Sequence, residues 1–233
     1  MKNYRNLLWA VFSVLLLLNL VGFSISDNEV FSWLRLLESV VLLSFLLRQH
    51  LLKDMYIIGA AFFFVILNVC VIHYEIPVFR RGYYLSGIFC YLFLVLHLWP
   101  ELRKIRISLL EKIIFGTLFL LDGALVFYLK DIIREKFNDL FVEHLFLLYG
   151  CLSILLILAA VYYNNLYNNR SSLFFINAIL FLVISDVTLF IAYYMELNLF
   201  YFPSALLYLF GITCLIKFSV IPKKEDLIPI LKG

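Results

Sequence analysis

Long apolar runs separated by short polar stretches follow one another along almost the whole chain. Eight of them are long enough to cross a hydrocarbon layer as helices, which takes about 20 residues each. They cover residues 7–25, 30–47, 55–73, 83–99, 109–129, 140–163, 172–195 and 197–220. A backbone in lipid must satisfy its own hydrogen bonds, and the alternating pattern of barrel strands is absent, so the runs predict helices.

Composition agrees with this pattern and excludes a water-soluble domain. The 233 residues are 64% hydrophobic and 15% charged, whereas soluble domains are about half apolar and about a quarter charged. We therefore predict an all-α integral membrane protein, a single multi-pass domain over residues 1–233 in a bacterial cytoplasmic membrane. Aromatic residues near the run ends, such as Tyr74, Tyr193 and Tyr194, fit interfacial belts. The net charge of +3 gives no reason to expect a nucleic-acid partner.

The distribution of Lys and Arg predicts the orientation of this eight-helix bundle. Thirteen of the nineteen lie on the side of the amino terminus and five on the other side, while Arg35 lies within the second run. Because cytoplasmic loops carry an excess of basic residues, both termini are expected in the cytoplasm. Ser24-Ile25-Ser26 resembles a signal-peptide cleavage site, but the first run exceeds the usual apolar core of about 7–15 residues and is interpreted as a span.

A weak internal repeat relates the third and seventh runs at an offset of 118 residues. Residues 63–70 and 181–188 are then identical at four of eight positions, and Asn68 falls opposite Asp186. A 4+4 duplication and a chance match between apolar helices both account for this similarity. In a duplication, the halves have the same orientation and the two polar positions lie at equivalent depths.

Asp186 is the clearest polar candidate inside the runs, where each such group is costly and therefore a functional candidate. It lies near the middle of the seventh run beside Ser185, with no Lys or Arg within one helical turn. Desolvation of a lone carboxyl favours its protonated form, the state required of a general acid. The alternative is a structural hydrogen bond to a neighbouring helix.

Asn68 and Asp122 also lie inside runs, and two interpretations are open for each. An amide in a span is most often an interhelical hydrogen-bonding group, but Asn68 aligns with Asp186. Asp122 lies near the middle of the fifth run next to Gly123, a small residue that allows another helix to approach closely. Functional and structural roles therefore remain alternatives for both residues.

Glu38 and His97 are weaker candidates. Glu38 has Arg35 one turn earlier on the second run, which predicts a local ion pair. His97 lies near the end of the fourth run, where a hydrogen-bonded core histidine is the simplest interpretation.

Several familiar chemistries lack their residues in this chain. There is no Gly-rich phosphate loop, no His-Glu-x-x-His and no Gly-x-Ser-x-Gly. The histidines are dispersed, and the four cysteines show no paired spacing. We therefore predict no metal site and no cofactor. The cysteines are Cys70, Cys90, Cys151 and Cys214.

Two segments resemble the YhhN, or lysoplasmalogenase-like, family of membrane proteins. Leu180–Asp186 and Leu206–Ile216 are similar to the last two spans of the family, and Ser185-Asp186 matches the Ser-Asp of its penultimate-span signature. His97, at the end of the segment Phe93–His97, resembles the family's histidine. The Gly-Asp of the family's third span is replaced here by Leu67-Asn68. The eight-span layout covers most of the chain.

The resemblance implies hydrolysis of the vinyl ether bond of a lysophospholipid, without a cofactor and with a membrane lipid as substrate. It implies that Asp186 is the general acid and that a third-span Asp completes a pair of carboxyl groups. Asn68 takes that second place here, so Asp122 or Glu38 is the candidate substitute. Ser185, His97 and Glu38 are assigned to substrate binding.

The replacement at Asn68 leaves a second reading open. The chain is then a catalytically silent relative that binds lipid or a protein partner, or a homo-oligomer that forms a pore. If Asn68 marks a lost catalytic pair, an Asn68→Asp variant should gain hydrolytic activity. A small-solute transporter is a third alternative, but no run is broken by a central Pro or paired Gly.

Overall fold

Helices account for nearly all the residues that the computed structural model describes, which are 2–25, 28–50, 54–103, 109–137 and 139–221. These residues contain no strand, and eight helices are long and apolar enough to cross a membrane. The predicted all-helical class is confirmed at that level, and the chain fits a multi-pass membrane protein. Ser26 of the candidate cleavage site and six of the counted basic residues lie outside the described residues: Lys53, Lys104, Arg106, Lys223, Lys224 and Lys232.

The eight helices follow the predicted runs and extend beyond most of them, because a helix continues through its polar flanks. Helix α4 begins at Pro77, several residues before its apolar run, since proline suits a first helical turn. A short 3₁₀ turn, Asn198–Phe200, delays the start of the last helix. The helices are α1 Lys2–Ile25, α2 Asn28–His50, α3 Met55–Ile72, α4 Pro77–Leu102, α5 Leu109–Phe137, α6 Leu140–Tyr167, α7 Arg170–Tyr194 and α8 Tyr201–Val220.

Two asparagines, Asn168 and Asn169, form the short connection from α6 to α7. Asn168 ends α6 in the left-handed region at φ 41°, a conformation that asparagine tolerates better than most residues. Asn169 begins α7, and its side chain accepts a hydrogen bond from the Ser172 amide while Ser172 bonds back, a capping box. The tight turn sets α7 beside α6, where the candidate site lies.

Six helices close into a ring in the order α2, α3, α4, α6, α7 and α8, with α8 packed back against α2. Helix α1 packs beside α2 and α8, and α5 packs mainly against α6. No residue of the Lys112–Ile132 part of α5 is buried. The two ends of the bundle are named here by the residues that mark them: α3 ends and α4 begins at the Glu75 end, and α3 begins at the Asp54 end.

Candidate functional site

A cavity of about 300 Å³ lies toward the Glu75 end of the ring and contains Asp186 in its wall. All the helices from α2 to α8 contribute residues to it. Tyrosine is its most frequent lining residue, with eight of the fifteen in the chain. These are Tyr74, Tyr83, Tyr84, Tyr91, Tyr149, Tyr193, Tyr194 and Tyr201.

Three donors from three helices converge on the Asp186 carboxylate. The Tyr91 hydroxyl donates to Oδ2 at 2.5 Å, and the Tyr149 hydroxyl donates to the same oxygen. Arg35 Nη2 lies 3.2 Å from Oδ1 in an ion pair. The two tyrosine rings stack with centroids 5.1 Å apart, which fixes both hydroxyls in place. The Asp186 side chain keeps 12% of its surface exposed, toward the cavity.

The expectation that Asp186 is a lone carboxyl is therefore wrong, and so is the predicted ion pair between Arg35 and Glu38. Among the described residues, the ion-pair partner of Arg35 is Asp186. Glu38 instead accepts a hydrogen bond from Asn19 Nδ2 of α1 at 2.8 Å. An arginine side chain is long enough to reach across the ring, whereas spacing along one helix reveals only partners on that helix.

Arg35 is itself held by α8. Its Nη1 donates to Ser204 Oγ at 2.8 Å, and its guanidinium lies 4.5 Å from the centre of the Tyr208 ring. Ser204 and Ser185 exchange hydrogen bonds through hydroxyl and carbonyl at 2.8 and 2.9 Å. Ser185, predicted to bind substrate, is thus fully buried at the α7–α8 contact rather than in the wall of the cavity. The serine pair fixes the depth at which Arg35 meets Asp186.

Asn68 lies on the far side of Arg35 from the cavity. Its Nδ2 donates to the Tyr208 hydroxyl at 2.7 Å and to the Phe64 carbonyl at 2.8 Å, and its side chain is fully buried. Asn68, Tyr208, Arg35 and Asp186 thus form a continuous row across the ring. This row links the two aligned positions, Asn68 at one end and Asp186 at the other. Of these two residues, Asp186 lines the cavity and Asn68 does not.

The remaining predicted site residues lie apart from Asp186. Glu38 is fully buried between α1 and α2. His97 Nδ1 lies 2.9 Å from Asp54 Oδ1 at the opposite end of the bundle. Asp122 is exposed on α5, four residues before Val126 of the cavity wall, and does not line the cavity itself. No group of three or more His, Cys, Asp or Glu that could hold a metal ion occurs in the described part of the chain.

Tyrosine hydroxyls form a second polar cluster where the cavity meets the Glu75 end. Tyr74 donates to the Tyr84 hydroxyl at 2.9 Å and lies 2.7 Å from that of Tyr194, and Tyr193 donates to Glu75 Oε1 at 2.9 Å. Burial and the neighbouring tyrosines raise the pKa of Tyr74 well above its ordinary value, so its hydroxyl stays a donor at neutral pH. The interfacial-belt interpretation is wrong for Tyr194, which is buried and turned toward this cluster.

The cavity wall changes in character from one part to the next. Its charged side chains are Glu29, Glu75 and Asp186, and no Lys or Arg is among the described residues that line it. Toward α5 and α7 the wall is apolar, formed chiefly by Val126, Leu129, Val183 and Val187. Aromatic faces and carboxylates attract cationic or hydroxyl-bearing groups, and the valines attract hydrocarbon. An amphiphilic molecule fits both parts.

Sequence reasoning missed Arg35, Tyr91 and Tyr149 as parts of this site. A cation inside a span, such as Arg35, indicates a buried anionic partner. The sequence suggested Glu38 as that partner, whereas the structure has Asp186. Tyr91 lies in the middle of α4, far from either helix end, where a hydroxyl needs a partner. The position of a tyrosine within its run was therefore the available signal.

No protein family model, no curated protein and no solved structure matches this chain. The side chains around Asp186 are the ground on which a function can be proposed.

Proposed function

We propose that this protein is a membrane hydrolase that cleaves the vinyl ether bond of a single-chain phospholipid, with Asp186 as its reacting carboxyl group. One observation carries the proposal. A carboxyl group lies in the wall of an amphiphilic cavity, where an arginine and two tyrosine hydroxyls of the same wall stabilise its ionised form. Vinyl ether hydrolysis needs a carboxyl group that gives up a proton beside a long-chain substrate.

The reaction balances with one carboxyl group. The cycle begins once the resting carboxylate of Asp186 has taken up a proton from the solvent. Asp186 then gives this proton to the alkene carbon that is not bonded to oxygen, and the new C–H bond uses the electron pair of the double bond. This step leaves an oxocarbenium ion beside the new carboxylate. Water adds to the cationic carbon and loses a proton to Asp186, which restores the acid. The resulting hemiacetal separates into a fatty aldehyde and a glycerophospho head group.

The neighbours of Asp186 act on the charge that develops in the first step. As the proton leaves, negative charge grows on the two carboxylate oxygens. Arg35 faces one oxygen and both tyrosine hydroxyls face the other. Fixed donors that interact more strongly with the transition state than with the neutral acid lower the barrier. Water enters the cavity from the hydroxyl-rich Glu75 end.

The membrane arrangement is part of the proposal. Basic residues favour both termini in the cytoplasm and the Glu75 end on the opposite side of a bacterial cytoplasmic membrane. A 4+4 duplication is supported by the packing order, in which α3–α4 matches α7–α8 and α4–α6 matches α8–α2.

The test is aldehyde release from an alkenyl lysophosphatidylethanolamine by the purified protein in lipid nanodiscs. The acyl analogue, which has no vinyl ether, serves as substrate control. We expect Asp186→Asn to lower the rate at least about 100-fold, the scale of a lost general acid. Asp122→Asn is the matched control, because it removes a carboxyl group of α5 that does not line the cavity, and it should keep the rate. An Asp186→Asn variant as active as the wild type contradicts the proposal.

A second candidate is a protein that binds the same lipid without cleaving it. The position of Asn68 favours it, because an amide bonded to Tyr208 replaces the second carboxyl that the resemblance implies. Wild-type protein that binds the alkenyl lipid, releases no aldehyde and loses no affinity in Asp186→Asn supports binding alone. The pore form requires a homo-oligomer, so a monomer by light scattering in detergent excludes it.

A further inference from the structure

The side of the cavity between α5 and α7 is built differently from the rest of its wall. Helix α6 packs against both α5 and α7, whereas α5 packs mainly against α6. Close packing fixes α5 at Gly150, where an added Cβ would lie 2.6 Å from Val126 Cγ1. Val126 and Leu129 of α5 line the cavity, and Val183 and Val187 of α7 line it as well. Helix α6 forms the floor between these two walls.

The α7 wall continues from the cavity to the outer surface of the bundle. Val187 lines the cavity and is nevertheless 47% exposed. One turn earlier, Ile184 is 45% exposed and is not among the described residues of the lining. These two side chains therefore mark a single apolar face that runs from the outside of α7 into the cavity.

The size of the cavity requires an exit for any long chain bound in it. Its volume of about 300 Å³ is at the lower end of small-molecule sites, roughly 300–1,000 Å³. A phospholipid with a long chain exceeds that space. The Glu75 end carries carboxylates and tyrosine hydroxyls, which repel hydrocarbon and suit a head group. Among the described residues, the α5–α7 side offers an apolar wall that continues to the outer surface of the bundle and can hold the remainder of the chain.

We infer that the hydrocarbon chain of a single-chain lipid enters and lies through this lateral opening, with α5 and α7 as its walls. The inference rests on the proposed lipid substrate and adds its route and orientation. The head group then lies toward Glu75, the chain points outward past Val187, and the bond between them lies next to Asp186. The substrate reaches the carboxyl group from the bilayer, without passing through water.

The test uses palmitoyl lysophosphatidylcholine with a diazirine near the end of its chain. After irradiation in nanodiscs, mass spectrometry maps the labelled residues, with and without an excess of the unlabelled lipid. We expect labelling of α5 and α7 that the unlabelled lipid suppresses. Val187→Trp should lower this competable labelling about tenfold, which corresponds to a loss of about 1.4 kcal/mol in the binding free energy of the lipid. Leu173→Trp, on the same helix and 51% exposed near its other end, should leave it unchanged.

A second pair of variants covers the case in which Val187→Trp does not fold. Leu129→Trp narrows the opening from α5, whereas Leu120→Trp adds the same bulk on the opposite face of that helix, where Leu120 is 72% exposed. Labelling that excess lipid does not suppress, or that neither lining variant lowers, overturns the inference. Undiminished aldehyde release in both lining variants overturns it as well.

Failure of the hydrolase proposal gives a different result. The probe contains an ester and no vinyl ether, so its labelling does not depend on cleavage. Competable labelling at the opening without aldehyde release keeps the lateral route and rejects the hydrolase. Aldehyde release without competable labelling at α5 and α7 keeps the hydrolase proposal and rejects the lateral route.

Discussion

Arg35 lies between two regions of the bundle, and in each of them a tyrosine hydroxyl is bonded to a polar side chain of another helix. One region borders the cavity and the other is buried. In the cavity region, the Asp186 carboxylate accepts from Tyr91 and faces open space. In the closed region, which comprises Asn68, Tyr208, Glu38 and Asn19, Asn68 donates to Tyr208 and every one of these side chains is buried. A similar polar contact across the ring thus borders a cavity in one region and is enclosed by packed helices in the other.

The closed region also satisfies its polar atoms less completely. Within the described residues, four buried atoms have no hydrogen-bond partner: Asn19 Oδ1, Arg35 Nε, Glu38 Oε2 and Asn68 Oδ1. Each unsatisfied buried polar atom costs about 1–3 kcal/mol. The closed region therefore lowers stability without contributing a reacting group, and substitutions should affect the two regions differently.

Arg35→Met should have the largest effect, because Arg35 joins both regions. It leaves the Asp186 carboxylate without its counter-charge, a loss of about 3–5 kcal/mol for a buried pair. Equilibrium unfolding in mixed micelles measures it. Removing both charges, as in Arg35→Met with Asp186→Leu, should recover most of that stability. A double variant no more stable than the single one contradicts the assigned ion pair.

Gly87→Ala should damage the cavity region alone. A Cβ at Gly87 would lie 2.5 Å from the Tyr149 ring, so the ring must move away from Asp186. We expect a loss of about 1–3 kcal/mol in unfolding free energy from overpacking, together with slower aldehyde release. Gly123→Ala, whose Cβ meets no atom within 4 Å, is the control and should change neither measurement.

Asn68→Asp tests the closed region and separates the structure from the resemblance. The substitution removes the amide group that donates to the Phe64 carbonyl, and it should lower the unfolding free energy by about 1–2 kcal/mol. Because Asn68 does not line the cavity, the new carboxyl should not raise the rate of aldehyde release, contrary to the expectation from sequence. A clear gain in rate would show that the side chain at position 68 reaches the substrate.

Glu38→Gln should have the smallest effect and the opposite sign. A Gln amide keeps the oxygen that accepts from Asn19 Nδ2 and adds a donor for the unpaired Asn19 Oδ1. One added hydrogen bond corresponds to a gain of about 0.5–1.5 kcal/mol in unfolding free energy. Glu38→Leu is the matched control, since it fills similar space without either bond and should be less stable than the wild type.

The sequence predicted the helices well and the site in part. Apolar runs and loop polarity are local properties, so the eight helices and the prominence of Asp186 followed from them. The partners of Asp186 depend on how neighbouring helices are rotated and shifted against each other, which no local pattern records. Arg35 therefore seemed paired with Glu38 one turn away, and Tyr194 was assigned to a membrane interface. Tyr149 carried no signal beyond its residue type.

The alignment of Asn68 with Asp186 is the instructive middle case. The alignment predicted equivalent depths for the two positions, and it did not predict the row through Tyr208 and Arg35 that joins them in the structure. It could not indicate that only one of them borders the cavity, because residues of seven helices together form that cavity.

A structure of the Asp186→Asn variant with a bound alkenyl lysophosphatidylethanolamine tests the central claim most directly. The account predicts that the alkene carbon not bonded to oxygen lies within about 3–3.5 Å of the residue 186 side chain, the distance of a reacting pair. It also predicts the head group toward Glu75 and the chain between α5 and α7. A lipid bound elsewhere on the bundle, with the cavity around residue 186 left without it, would contradict the account.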